Sequence, residues 1–103
     1  MPVSVKFDKD SIIAVLSGEI DHHSAPALRE CIDSAVERAR PGKLTLDFGQ
    51  VSFMDSSGIG LVMGRYKTAI SCGAQTEVTN LSSRAEKIMR MSGLEKLVKL
   101  NSM

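Results

Sequence analysis

The sequence predicts an α/β fold: a mixed, mostly parallel sheet with an antiparallel first strand, covered by helices and built as one domain over residues 1–103. Three observations lead there. Two short runs at the N-terminus carry apolar residues in the pattern of a hairpin. Strand-like runs then alternate with helical ones, the pattern of parallel strands joined by helical crossovers. Each helical run opens on serine and closes near glycine, the usual punctuation of helix ends.

Val3, Val5 and Phe7 alternate with polar residues, and after Asp8-Lys9-Asp10 comes Ile12-Ile13-Ala14-Val15-Leu16, ended by Ser17-Gly18. These are the two hairpin strands. Ser24 reads as the side-chain cap of a helix and precedes Ala25 and Pro26, and proline suits a first helical turn because its missing N–H would have no intrahelical partner there. Leu28, Ile32, Ala35, Val36 and Ala39 recur at helical spacing until Pro41-Gly42. Leu44, Leu46 and Phe48 form a strand leading through Gly49-Gln50 into the stretch from Val51 to Gly58.

The second helix starts at Ser56 or Ser57 and ends near Cys72-Gly73. Ile59, Leu61, Val62, Met63, Tyr66, Ala69 and Ile70 leave it apolar around most of its circumference, so it is expected to be deeply packed. Gln75 to Asn80 is a strand, and Ser82 or Ser83 caps a third helix carrying Ala85, Ile88 and Met89, with Gly93 as its stop. Leu97 to Leu100 is the last strand.

Composition excludes several classes of function. Hydrophobic residues make up 43% and charged residues 24%, too apolar for a disordered chain. A net charge of +1 with interleaved signs gives no field to gather nucleic acid or anionic lipid. One Tyr, three Phe and no Trp leave few rings for base stacking, so no nucleic-acid partner is expected. The N-terminus has no basic segment followed by an apolar one, and no run approaches the roughly 20 apolar residues of a membrane span. The expectation is a cytoplasmic protein without a membrane partner. Cys31 and Cys72 match no zinc or redox spacing and read as reduced.

The residues most able to carry chemistry lie from Phe53 to Lys67, at a strand-to-helix junction where open α/β folds place functional loops. Ser56 sits where its oxygen could accept from the free amides of the first turn. Gly58, Gly60 and Gly64 each cost roughly 1 kcal/mol relative to Ala in a helix interior, which points to close backbone approach. Three catalytic motifs fail on spacing. A nucleophile elbow needs glycine where Met54 or Asp55 stands; a P-loop needs Gly-Lys-Ser/Thr where Gly64-Arg65-Tyr66 stands; a dinucleotide fingerprint needs glycine at Met63. An alternative reading remains, a small serine hydrolase or nucleotide-binding enzyme pairing Ser56 or Ser57 with His22 or His23. Arg65 and Lys67 read as the solvated end of the second helix, complementing its dipole, and Arg90 likewise at the end of the third.

Gly18-Glu-Ile-Asp-His-His-Ser-Ala25, Ser52-Phe-Met-Asp-Ser-Ser-Gly-Ile-Gly60 continuing to Gly64-Arg-Tyr-Lys67, and Met91-Ser-Gly-Leu94 occur in the order and approximate spacing of STAS domains. The chain resembles in particular the sporulation-type anti-sigma factor antagonists, over nearly its whole length. The resemblance implies a regulatory module that is not an enzyme. Its phosphorylation site would be Ser56, its docking surface Ser57, Gly58 and Gly60 at the start of the second helix, flanked by Asp21, His22, His23 and Ser24, with Asp55 positioning the loop. It implies two protein partners, an ATP- or ADP-bound anti-sigma factor serine kinase and a metal-dependent serine phosphatase. The nucleotide belongs to the kinase, so no cofactor or metal is assigned to this chain. One departure concerns C-terminal packing: members of this type continue into a further helix, whereas Leu100 is followed here by Asn-Ser-Met.

Overall fold

The computed structural model describes residues 3–103. Met1 and Pro2, where the N-terminal reading for a leader began, lie outside that range. The elements are β1 (Val3–Asp8), β2 (Ser11–Ile20), α1 (Ala25–Ala39), β3 (Lys43–Met54), α2 (Ser57–Ser71), β4 (Gln75–Leu81), α3 (Ser83–Met91), a single 3-10 turn (Leu94–Lys96) and β5 (Lys99–Ser102). The five strands stand side by side in sequence order, β1-β2-β3-β4-β5. β1 is antiparallel to β2, and every later pair is parallel. The fold class read from the sequence is the one observed.

Burial follows the two-residue period of the strands. Ile12, Ala14 and Leu16 of β2, Leu44, Leu46 and Phe48 of β3, Val78 of β4 and Leu100 of β5 are buried together with Leu28, Ile32 and Val36 of α1, Leu61 and Val62 of α2, and Met89 of α3. The alternate residues, among them Thr45, Asp47, Glu77 and Asn101, are partly exposed. Right-handed crossovers between strands laid down in one direction put successive helices on the same side, so the helical layer covers one face and leaves the other polar and open. The second helix correspondingly differs from its expectation. It buries only the stripe Gly58, Leu61, Val62, Arg65 and Ala69, while Ile70 is 53% exposed on its outer side.

β2 runs past Ser17-Gly18, where the sequence reading stopped it. Gly18 has φ +79, and the register against β3 shifts on both sides of it, so the glycine marks an irregularity inside a strand and not its end. Between Val15↔Asp47 and Ile20↔Met54, β3 takes two more residues than β2. Both strands therefore finish level, and the Asp55 amide donates to the Ile20 carbonyl at 3.3 Å. β5 starts two residues later than read, because Leu94–Lys96 turn and bury Leu94 and Val98 before the chain extends.

Candidate functional site

The level ends of β2 and β3 set two loops beside each other, Asp21–Ser24 before α1 and Asp55–Ser56 before α2. Both are tied by aspartate. Asp21 Oδ1 accepts from the amides of His23 at 2.9 Å and Ser24 at 3.0 Å. These bonds hold the Asp21 carboxyl below its ordinary pKa, the Ser24 amide foremost, against the opposing effect of desolvation. Ser24 Oγ accepts from the Asp21 amide at 3.1 Å and donates to the Glu19 carbonyl at 2.9 Å. Ser24 was expected to cap α1 with its side chain. It makes no such bond, because its own backbone is already helical, at φ −85 and ψ −28.

The same correction applies at α2. Ser56 is the N-cap residue, but at φ −63 and ψ −14 its hydroxyl cannot turn back to the first-turn amides, and it makes no cap bond. Asp55 does that work: its Oδ1 accepts from the Ser57 amide at 2.8 Å. The Gly58 amide goes to the Asp55 carbonyl at 3.0 Å and the Ile59 amide to the Ser56 carbonyl at 3.1 Å. Ser82 shows the contrast. Its backbone is extended, at ψ 160, and its oxygen accepts from the Ala85 amide at 3.1 Å. Ser56 is thus exposed at the tip of a fixed turn, and its hydroxyl has no hydrogen bond to any described residue. The Asp55 carboxylate thus holds the turn that carries Ser56.

The three glycines of α2 separate. A Cβ on Gly58 would overlap Sδ and Cγ of the buried Met54, so that glycine admits the end of β3 against the helix. A Cβ on Gly60 or Gly64 would meet nothing within 4 Å. Internal packing explains Gly58 and not the other two. His22 and His23 are exposed with ring centroids 4.0 Å apart, and no hydrogen bond joins either imidazole to Ser56 or Ser57 among the described residues. No group of three or more possible metal ligands occurs among the described residues. No helix among them is long and apolar enough to cross a membrane.

Sequence reasoning missed one pair. Arg65, expected at the solvated end of α2, is 4% exposed, and its Nε donates to Asp33 Oδ1 of α1 at 2.6 Å. Its Nη1 lies 3.4 Å from the Leu61 carbonyl. Burial pushes the guanidinium pKa down, while Asp33 pulls it back up and the nearby positive Arg29 opposes that. The group stays charged. The available signal was positional: Arg65 falls at the i+4 step from Leu61 on the stripe that α2 buries. Lys67 is exposed as expected, and Arg90 pairs with Glu86 one turn earlier at 2.9 Å on the surface.

Residues 2–102 match the family model for the STAS domain. The chain is 32% identical to the anti-sigma F factor antagonist of Paenibacillus polymyxa, over 95% of this chain and 84% of that protein. It is 32% identical to the anti-sigma-B factor antagonist of Bacillus subtilis strain 168, over 97% and 90%. Among solved structures it superposes on the anti-sigma factor antagonist SpoIIAA in its unphosphorylated form with a TM-score of 0.81 at 29% identity, covering 95% of this chain and 86% of that one. The phosphorylated form of the Bacillus cell fate determinant SpoIIAA gives 0.74 at 29% identity, over 95% and 89%. Sequence motifs, topology and these likenesses agree, and the chain belongs to the STAS domain family, among its anti-sigma factor antagonists.

Proposed function

We propose that this protein antagonises an anti-sigma factor by a partner switch worked at Ser56. The unmodified chain binds the anti-sigma factor, a serine kinase in its nucleotide-bound form, and so frees the sigma factor. The kinase then transfers the γ-phosphoryl group of ATP to Ser56 Oγ, with loss of the hydroxyl proton and release of ADP, and the complex separates. A metal-dependent phosphatase hydrolyses the phosphoester with water and restores the active form. The observation that carries this reading is the state of Ser56: an exposed, uncommitted hydroxyl on a turn whose neighbours are all fixed. A phosphoacceptor needs that freedom, because a hydroxyl engaged in a cap would have to leave it to react. The likeness to a protein solved in unphosphorylated and phosphorylated forms supports the same reading.

The geometry also bears on how the phosphate would act. It adds about −1.5 to −2 charges at neutral pH. The amides of Ser57, Gly58 and Ile59 already have acceptors, so none of these three is free for the phosphate, which meets the positive end of the helix dipole from an exposed position. A partner surface closed over a neutral hydroxyl would have to bury that charge, and about 4 kcal/mol of penalty is close to a thousandfold in affinity. The fold need not change.

Incubation with the purified kinase and Mg-ATP, followed by phosphopeptide mapping, is expected to place one phosphate on Ser56. Ser56→Ala is expected to stay bound to the ADP-loaded kinase after addition of ATP, and Ser57→Ala to be phosphorylated as wild type is. Phosphate on Ser57 would move the assignment, and no complex with the kinase in any nucleotide state would overturn the reading.

A further inference from the structure

Between the first turns of α1 and α2 runs a groove of about 340 Å³. Gly60 and Leu61 form its α2 side and Pro26 its α1 side, with Arg29 and Arg65 farther along and His22 at one end. We infer that this groove is a docking slot for an acidic side chain of the partner protein, with Arg29 as the residue that meets its carboxylate. The inference rests on the partner-switch reading and adds to it the chemistry of one contact.

Three features of the groove point to that occupant. The first is Gly60. A Cβ there would meet nothing within 4 Å, so the chain gains no packing from the glycine, while a helical glycine costs roughly 1 kcal/mol relative to alanine. An incoming group that lies directly on the helix backbone is served by the missing Cβ. The second is charge. Arg29 on the α1 side and Arg65 on the α2 side are close enough for their charges to oppose each other, and Asp33 pairs only with Arg65. One positive charge is left over. Arg65 is committed and buried, whereas Arg29 is exposed and has no ion pair among the described residues. The third is the mix of surfaces. Pro26 and Leu61 offer apolar walls to the methylene stem of a side chain such as glutamate, and Arg29 offers its fork to the carboxylate at the end.

A single free guanidinium at the end of a partly apolar slot suits one carboxylate on a short stem. Ser57 also lines the groove, so the slot adjoins the phosphoacceptor turn and extends the surface around Ser56 along the seam of the two helices.

The test measures binding of the purified anti-sigma factor kinase, loaded with ADP, to wild-type protein and to Arg29→Glu, Arg29→Ala and Arg29→Lys. Arg29 is exposed, so the variants are expected to keep the wild-type melting curve. Arg29→Glu is expected to raise Kd at least about tenfold at low salt, Arg29→Ala several-fold, and Arg29→Lys by less than Arg29→Ala, since lysine keeps the charge and loses the fork. The wild-type affinity is expected to fall with added salt more steeply than that of Arg29→Ala. A photo-crosslinker at position 29 is expected to capture the kinase beside an aspartate or glutamate, whose change to lysine restores binding to Arg29→Glu. Tight wild-type binding that Arg29→Glu leaves unchanged would overturn the slot and leave the partner switch standing. Failure of wild-type protein to bind the kinase at all would remove both.

Discussion

Removing Asp33 is the sharpest way to ask what holds α1 and α2 together. Asp33→Ala leaves the Arg65 guanidinium, 5% exposed at the side chain, without its carboxylate. Breaking a buried ion pair from one side costs about 3–5 kcal/mol, because the remaining charge stays buried unpaired. Asp33 is itself 24% exposed, so water can follow into the vacated space and the lower end applies, about 3 kcal/mol. For a domain near 100 residues that is a fall in Tm on the order of 12–20 °C. Urea unfolding followed by circular dichroism measures it. Arg65→Met with Asp33→Leu, which takes out both charges and keeps apolar volume, is expected to recover most of the loss. An Asp33→Ala protein within about 0.5 kcal/mol of wild type would refute the reasoning, since that is the size of effect expected of a solvated surface pair.

Four further outcomes follow from the geometry. Asp55→Ala is expected to cost about 1 kcal/mol in urea unfolding, because it carries the bond to the Ser57 amide, whereas Ser56→Ala stays within a few tenths. Gly58→Ala is expected to destabilise by about 1–2 kcal/mol through overlap with Met54, and Gly60→Ala to leave stability unchanged or raise it by up to about 1 kcal/mol, both read from thermal melts. Thr76→Val is expected to stabilise by about 1 kcal/mol in the same melts, because the buried Thr76 Oγ1 has no hydrogen-bond partner among the described residues. Glu77 has its pKa lowered below 4.5, first by the hydrogen bond from Lys43 at 2.7 Å and despite opposing desolvation. A depressed folded-state pKa gives stability that is complete above the unfolded value and is lost as pH falls through the folded one. Stability measured from pH 6 to pH 2 is therefore expected to fall below about pH 4.5, and Glu77→Gln to fall less steeply.

The sequence carried the order of elements well, because alternation in strands, helical spacing and Ser/Gly punctuation are local signals and all agree here. It misjudged where local chemistry offers two solutions. Asp55-Ser56-Ser57 presents adjacent side chains able to cap, and only the backbone angles decide: an extended residue such as Ser82 can reach its first turn, a helical one such as Ser56 cannot. Gly18 looks the same in sequence whether it ends a strand or sits inside one, and the partner strand's two additional residues decide that. Arg65 was misread because its partner lies 32 positions away on another helix, beyond the reach of any window. Family motifs grouped Asp21 to Ser24 with Asp55 to Gly60, and the structure sets the two segments side by side because neighbouring parallel strands end level.

The unbroken strand order has a kinetic consequence. Each strand pairs with the one before it in the chain, so no strand must hold open a gap for a later insertion. Long-range pairing is what slows folding and exposes unpaired edges. During synthesis the β1–β2 hairpin can form first, and each helix-and-strand unit then adds to the growing edge as it emerges. Both loops of the candidate site precede α2, so they are in place before β4, α3 and β5 have been made. Folding intermediates of this chain are accordingly expected to lack the C-terminal units and keep the N-terminal ones, which places the element most easily lost, the four-residue β5, at the edge farthest along the assembly line.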